Sequence, residues 1–482
     1  MSWLQALRSQ VDEEGWRRLQ AFPGTPLRTH PPAHLPPLGA GEALRSEVDA
    51  DQAALFQRRL EGSSQILADI ADNPNARHPR AATQARAYRM ALHLRAEEIL
   101  AAPAPRARRL RALADYYASC GALLLHADPT LSKPWELGVR WSDLAGGARL
   151  GKVTGASSLG PVHLHLLELP EPAFQSRICA GQSLEALAQE SGALAASSGG
   201  FFLYSEADIA PPAQRGDPVG WLVSGGHTQR LPLLGRGALF QDARVRLGRM
   251  DLVGTTLTQG DWAATVGGHN DPTHLGREPV LFNRAWGPNC VDHWGPSVVL
   301  WADRVLAVGK GAMAVPLDGA VLCLPPGHPL PNLGGIETNH PAQEAMAGGP
   351  MLLRNGQLCI DRPSEDFLGS APPVTFSQDE TFDQNLLPRL AVGLRADGSL
   401  VLACIDGRNL ERAVGLTLDG TARLLRAQGC VRALNLDGGS SKRLWVRGHG
   451  GVDLADTELR SKGGQSGRIR EVRTALLWNP QK

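Results

Sequence analysis

Three turn dipeptides do most to limit what this chain can fold into: Asp318-Gly319, Asn355-Gly356 and Asp397-Gly398, each set between short apolar runs. Asn-Gly and Asp-Gly supply the positive φ angles of tight hairpins, so their recurrence predicts antiparallel strand pairing in the C-terminal half. Residues 162–169 read as a strand and residues 183–190 as a short helix. Helical spacing returns at Leu418, Ala422 and Leu425, with Thr417 as N-cap and Gly429 just beyond the end. The predicted class is therefore α+β, with antiparallel-rich mixed sheets and short helices. Segments 267–276 and 363–388, rich in Gly, Pro, Asp and Ser, read as loops or insertions.

The N-terminal third differs in period. After a Pro-rich stretch at 23–37, Ala53, Leu55, Phe56, Leu60, Ile66 and Ile70 recur at helical spacing, and similar runs follow at 81–99 and 110–125. Pro103 and Pro105 stop the second run before the third. A small all-α domain at 1–147 is expected to precede the α+β domain at 148–482. It offers no paired catalytic groups and reads as an interaction or stabilising domain whose protein partner the sequence does not identify.

With 49 basic and 48 acidic residues the formal charge is +1, so no global field recruits nucleic acid or an anionic membrane, and phosphate recognition must be local. No stretch approaches the roughly 18 uninterrupted apolar residues of a membrane span. The first residues lack the basic start and long apolar run of a secretory signal, so a cytoplasmic location is expected. Seven scattered cysteines without a Cys-x-x-Cys pair point to reduced thiols. His269 and His274 flank Pro272 and lack the i, i+4 helical spacing of a zinc pair, so they read as loop histidines. No metal or cofactor is expected.

The chemistry concentrates at 433–441, Ala-Leu-Asn-Leu-Asp-Gly-Gly-Ser-Ser, where a buried-looking strand runs into a turn of small residues. Successive amides in such a turn can face one concavity and hold an anion, with Asp437 at its lip. The same residues also make an ordinary tight turn, with Asn435 pointing into the core to satisfy backbone groups.

Upstream stand Pro388-Arg389-Leu390-Ala391-Val392-Gly393, Ile405-Asp406-Gly407-Arg408 and Gly415-Leu416-Thr417-Leu418. Further blocks are Ala196-Ser197-Ser198-Gly199-Gly200-Phe201-Phe202, Gly348-Gly349-Pro350 and Arg470-Glu471-Val472-Arg473-Thr474-Ala475-Leu476. In that order, over residues 151–480, the chain resembles the phosphodiester glycosidase family. The resemblance implies hydrolysis of the glycosidic C–O bond of a sugar-1-phosphodiester, small or glycan-borne. It also implies Asp437 and Asp406 as catalytic carboxylates, with Arg389, Arg408, Asn435, Gly438, Gly439, Ser440, Ser441, Ser198, Gly199, Gly200 and Thr417 around the substrate. Guanidinium forks and turn amides both match phosphate oxygens, and the departing phosphate monoester is a weak base that needs little protonation. Asp406-Gly407 also reads as a simple turn start with Arg408 as its surface partner.

Three positions depart from the family's pattern: Ser198 stands where Asn is common, Leu390 where Thr is, and Lys442 where a small hydroxyl residue is. Ser198 lacks the reach of an amide, which leaves open a non-catalytic carbohydrate- or phosphate-binding protein that keeps the turn. Lys442 reads equally as a phosphate contact or a solvent-facing residue.

Overall fold

The computed structural model describes residues 130–480 except 180, 204–208, 210, 341, 370–384, 409–411 and 455–471. The expected N-terminal helices lie outside these residues. The framework is an eight-stranded antiparallel sheet, built from β1 (Arg140–Asp143), β2 (Arg149–Ser157), β3 (Gly160–Leu169), β4 (Met351–Arg354), β5 (Gln357–Leu358), β6 (Arg389–Arg395), β7 (Leu400–Ile405) and β8 (Cys430–Asn435). Their spatial order is β1-β2-β3-β7-β6-β8-β4-β5.

The central strands are apolar on both sides because both faces of the sheet are covered. On one face Leu390, Val392, Leu402 and Leu434 share a core with Leu444, Leu476 and Trp478 of a five-stranded sheet. On the other, Ala391, Val401, Ala403 and Ala433 pack with Leu418, Ala422 and Leu425 of helix α2 (Leu418–Ala427), and α1 (Leu184–Ser191) covers the five-stranded sheet. The caps expected for α2 are present, with Thr417 Oγ1 accepting the Gly420 amide and Gly429 following at a φ of 83°, and Ser183, read as the first residue of a helix, caps α1 by accepting the Ala186 amide on Oγ. Thr417, expected near substrate, thus commits its hydroxyl to the helix N-terminus.

Two of the three hairpin dipeptides turn as expected. Asn355 and Gly356, at φ 51° and 74°, join β4 to β5, and Asp397-Gly398 joins β6 to β7. Asp318-Gly319 does not make a hairpin. Asp318 is buried, accepts the Gly220 amide at 3.1 Å and pairs with Arg230 at 3.1 Å, so its carboxylate fastens two distant segments together. The loop histidines also find separate partners: His269 lies 3.3 Å from Asp366 and His274 lies 3.0 Å from Glu278.

The boundary expected at 147/148 falls inside this fold. β1 pairs with β2 along its whole length, and Trp135 packs on the α2 side of the sheet, 5.8 Å beneath the guanidinium of Arg423. A chain beginning at residue 148 is therefore expected to be less stable than one beginning at residue 130. The loss should be about 1–3 kcal/mol, from exposure of the surface that Trp135 covers. Chemical denaturation monitored by circular dichroism measures it, and equal midpoints would place residues 130–147 outside the cooperative unit.

Candidate functional site

β3, β7, β6 and β8 end side by side. The Asp406 amide donates to His163 O at 3.0 Å, Arg389 pairs with Ile405, and the Leu436 amide donates to Leu390 O at 2.8 Å. From the end of β8 the chain turns at Asp437 and runs back across these strand ends. The Gly439 amide donates to Pro388 O at 2.9 Å, Gly439 lies against the Arg408 guanidinium, and Lys442 reaches Asp406. At a strand spacing of about 4.8 Å, the turn spans roughly 10 Å from β8 to β7.

The small residues are required by this crossing. A Cβ at Gly438 would sit 2.8 Å from Pro388 O, and one at Gly439, whose φ is 59°, would sit 3.3 Å from Arg408 Nη1. Arg408 itself has a φ of 61°, a left-handed conformation that a long side chain adopts only when its surroundings hold it there. Asp437, Arg408, Gly439 and Ser440 are all partly exposed, whereas Asn435, Gly438 and Ser441 are buried. The accessible polar groups of the site therefore gather around Gly439.

Several expected roles change. The turn amides do not all face one concavity, since those of Asp437, Gly439, Ser441 and Lys442 donate to the carbonyls of Gly199, Pro388, Gly438 and Gly439. Arg408 is the partly exposed basic side chain beside the turn. Arg389 is fully buried, and its Nε and Nη2 donate to Leu416 O at 2.9 Å and Asn385 O at 3.0 Å, so it braces the loops behind the turn instead of presenting an open fork. Asn435 Nδ2 donates to Gly349 O at 2.9 Å, the core role that its burial implies. Gly200 has no room for a side chain because a Cβ would lie 2.3 Å from Ala347 O, so it serves strand packing, and Gly199 O receives the Asp437 amide. Ser198 is buried with its Oγ accepting the Arg443 amide at 3.1 Å, a tie between two strands.

Asp406 is the largest correction. It does not pair with Arg408 at the surface; it is buried, with Oδ1 on Lys442 Nζ and Oδ2 on both His163 Nδ1 at 2.5 Å and the Leu454 amide at 3.2 Å. Burial works against its charge, but Lys442 and His163 outweigh that and hold the carboxyl below the ordinary carboxylate range. A carboxylate with both oxygens engaged is not positioned to attack a sugar. Lys442 neither faces solvent nor awaits a phosphate: it is buried between Asp406 and Asp453, the latter at 3.3 Å. This ion cluster pins the far end of the turn to the strand that carries Arg408. His163 and Asp453 were missed in the sequence, where only the alternation His163-x-His165 on a strand hinted that both rings share one face.

Behind Gly349, Glu365 accepts the amides of Met351 and Gly237, each at 2.8 Å, and burial pushes its carboxyl up to about 7. A folded-state pKa above the unfolded one means that the stability this group contributes is complete below about pH 4.5 and is lost as pH rises through about 7. Unfolding free energies measured from pH 4.5 to 7.5 should fall across that window by an amount on the order of 3 kcal/mol. Glu365→Gln should flatten the slope whatever its effect on absolute stability. An unchanged slope would remove Glu365 as its source.

Residues 316–478 match the family model described as phosphodiester glycosidase. That span holds Arg389, Asp406, Arg408, Asn435 and the turn at 437–441, and it excludes Ser198–Gly200. An uncharacterised SPbeta prophage-derived protein of Bacillus subtilis is 44% identical over 61 residues, 13% of this chain and 9% of that protein. The N-acetylglucosamine-1-phosphodiester alpha-N-acetylglucosaminidase of Homo sapiens is 31% identical over 114 residues, 23% of this chain and 21% of that protein. The chain thus aligns with about a fifth or less of the length of these curated relatives. Among solved structures, a hypothetical protein from Synechocystis superposes with a TM-score of 0.45 at 21% identity, over 71% of this chain and 63% of its own. The zebrafish N-acetylglucosamine-1-phosphodiester alpha-N-acetylglucosaminidase catalytic domain gives 0.37 at 15% identity, over 73% of this chain and 87% of its own.

Proposed function

We propose that this chain, which resembles the phosphodiester glycosidases over residues 316–478, hydrolyses the bond between the anomeric carbon of a sugar and the oxygen of a phosphodiester. The observation that carries the reading is that the Arg408 guanidinium lies against Gly439, two residues from Asp437 on a turn clamped at both ends, with Asp437 and Arg408 both partly exposed. Arg408 would hold the phosphate while Asp437 faces the anomeric carbon, where positive charge develops, and either attacks it or activates water against it. Because the phosphate monoester departs as a weak base, one carboxylate beside the anomeric carbon suffices. That agrees with the sequestration of Asp406 in its ion cluster.

Hydrolysis of a panel of sugar-1-phosphodiesters in ¹⁸O-labelled water tests the reading. Label in the sugar is expected, and label in the phosphate would replace it with P–O cleavage. Tight binding of the panel without turnover would leave a binding protein, the alternative that Ser198 raised. Arg408→Lys is expected to raise KM by about tenfold or more despite keeping the charge, because an ammonium cannot reproduce a planar fork on phosphate. Steady-state kinetics on the best substrate measure this, and an unchanged KM would remove Arg408 from the phosphate site.

A further inference from the structure

Next to the far end of the turn, β3 carries His163 and His165 two residues apart, hence on one face of the sheet. The neighbouring β7 runs antiparallel, with Cys404 opposite His165 and the Asp406 amide on His163 O. One ligand atom from each of His163, His165 and Asp406 lies within 4.8 Å of the other two. We propose that these three residues form a binding site for a divalent transition-metal ion of the zinc type.

The donor set fits such an ion: two imidazole nitrogens and a carboxylate oxygen, with further positions open to water or an anion. Its backbone is fixed by strand pairing, which is where a preorganised site should sit. A second observation points the same way. His165 Nδ1 is buried without a hydrogen-bond partner among the described residues, whereas a buried polar atom ordinarily has one. An ion bound there would satisfy it.

Charge and geometry are compatible with an ion. Lys442 occupies Oδ1 of Asp406, but Oδ2 faces His163 and can take the metal. Asp453 lies 3.3 Å from Lys442 and 3.4 Å from Arg443, so the ion joins a cluster in which two carboxylates stand against two basic side chains, and its own charge is met by the Asp406 oxygen that Lys442 leaves open. Bonds of about 2.0–2.1 Å at tetrahedral angles put ligand atoms roughly 3.3 Å apart. The 2.5 Å contact between His163 Nδ1 and Asp406 Oδ2 must therefore open and the longer separations close, which side-chain rotation on a fixed backbone can do.

The site does not depend on the reaction proposed above, and its test reads binding alone. Purified protein, freed of metal with a chelator, is titrated with Zn²⁺ by calorimetry and with Co²⁺ by visible absorption. One tight ion per chain and a Co²⁺ d–d band are expected. His163→Ala and His165→Ala should each weaken binding by about tenfold or more and abolish the band, while His274→Ala, at an exposed loop, should change neither. Should His165→Ala fail to fold by circular dichroism, the partly exposed His163→Ala decides the question. Zn²⁺ binding that is absent in the wild type, or equal in the wild type and His163→Ala, overturns the proposal.

Discussion

Asp437→Asn is expected to lower turnover of a sugar-1-phosphodiester by roughly 10²-fold or more, the usual cost of losing a general base or nucleophile. The amide keeps the size of the side chain. The backbone that shapes the turn is held elsewhere, by the Asp437 amide on Gly199 O and the Gly439 amide on Pro388 O. What is lost is negative charge beside a carbon that becomes cationic, so the effect belongs in kcat more than in KM. Single-turnover rates with saturating substrate, alongside a melting curve to show an intact fold, measure it. Retention of more than about a tenth of wild-type turnover would take Asp437 out of the mechanism.

Lys442→Met should have the largest effect on stability of any single change at the site, a loss of about 3–5 kcal/mol. Removing the ammonium leaves Asp406 and Asp453 buried with a cation missing between them, and a carboxylate cannot be left there without protonation or local opening. The double variant Lys442→Met with Asp406→Asn should recover part of the loss, because it removes the uncompensated charge along with its partner. Denaturant titrations of the wild type, both single variants and the double variant close the cycle. A loss below about 1 kcal/mol in Lys442→Met would mean that the cluster is solvated and does not clamp the turn.

What could be read from the sequence was what short segments decide for themselves. The hairpins at Asn355-Gly356 and Asp397-Gly398, the cap Thr417, and the strand at 162–169 follow from local backbone preference and spacing. The turn at 437–441 and its neighbour Arg408 were recognisable for the same reason, together with the order of the surrounding motifs. The errors fall where a side chain is claimed by a distant partner. Asp318 looks like a hairpin residue until Arg230 and Gly220 are beside it, and Arg389 looks like a phosphate fork until Leu416 and Asn385 take two of its donors. Asp406 was read as facing ligand or as a turn start partnered by Arg408, and Lys442 as contacting phosphate or facing solvent. Their pairing depends on a turn that folds back over two strand ends, which no local pattern encodes.

The pairing of β3 with β7 also bears on how this protein is made. His163 and Asp406 meet although 243 positions separate them in the chain. At about 5–20 residues per second, a ribosome that has released β3 takes roughly 12–50 s to deliver its partner strand. For that interval the β3 edge of the three-stranded meander β1-β2-β3, paired in the finished sheet, stays open along the apolar-rich run Val162-His163-Leu164-His165-Leu166-Leu167. An open apolar edge is a template for pairing with other chains. Such long-range closure is also intrinsically slow. Yield in a host cell should therefore respond more to translation speed and chaperone supply than to the final stability of the fold.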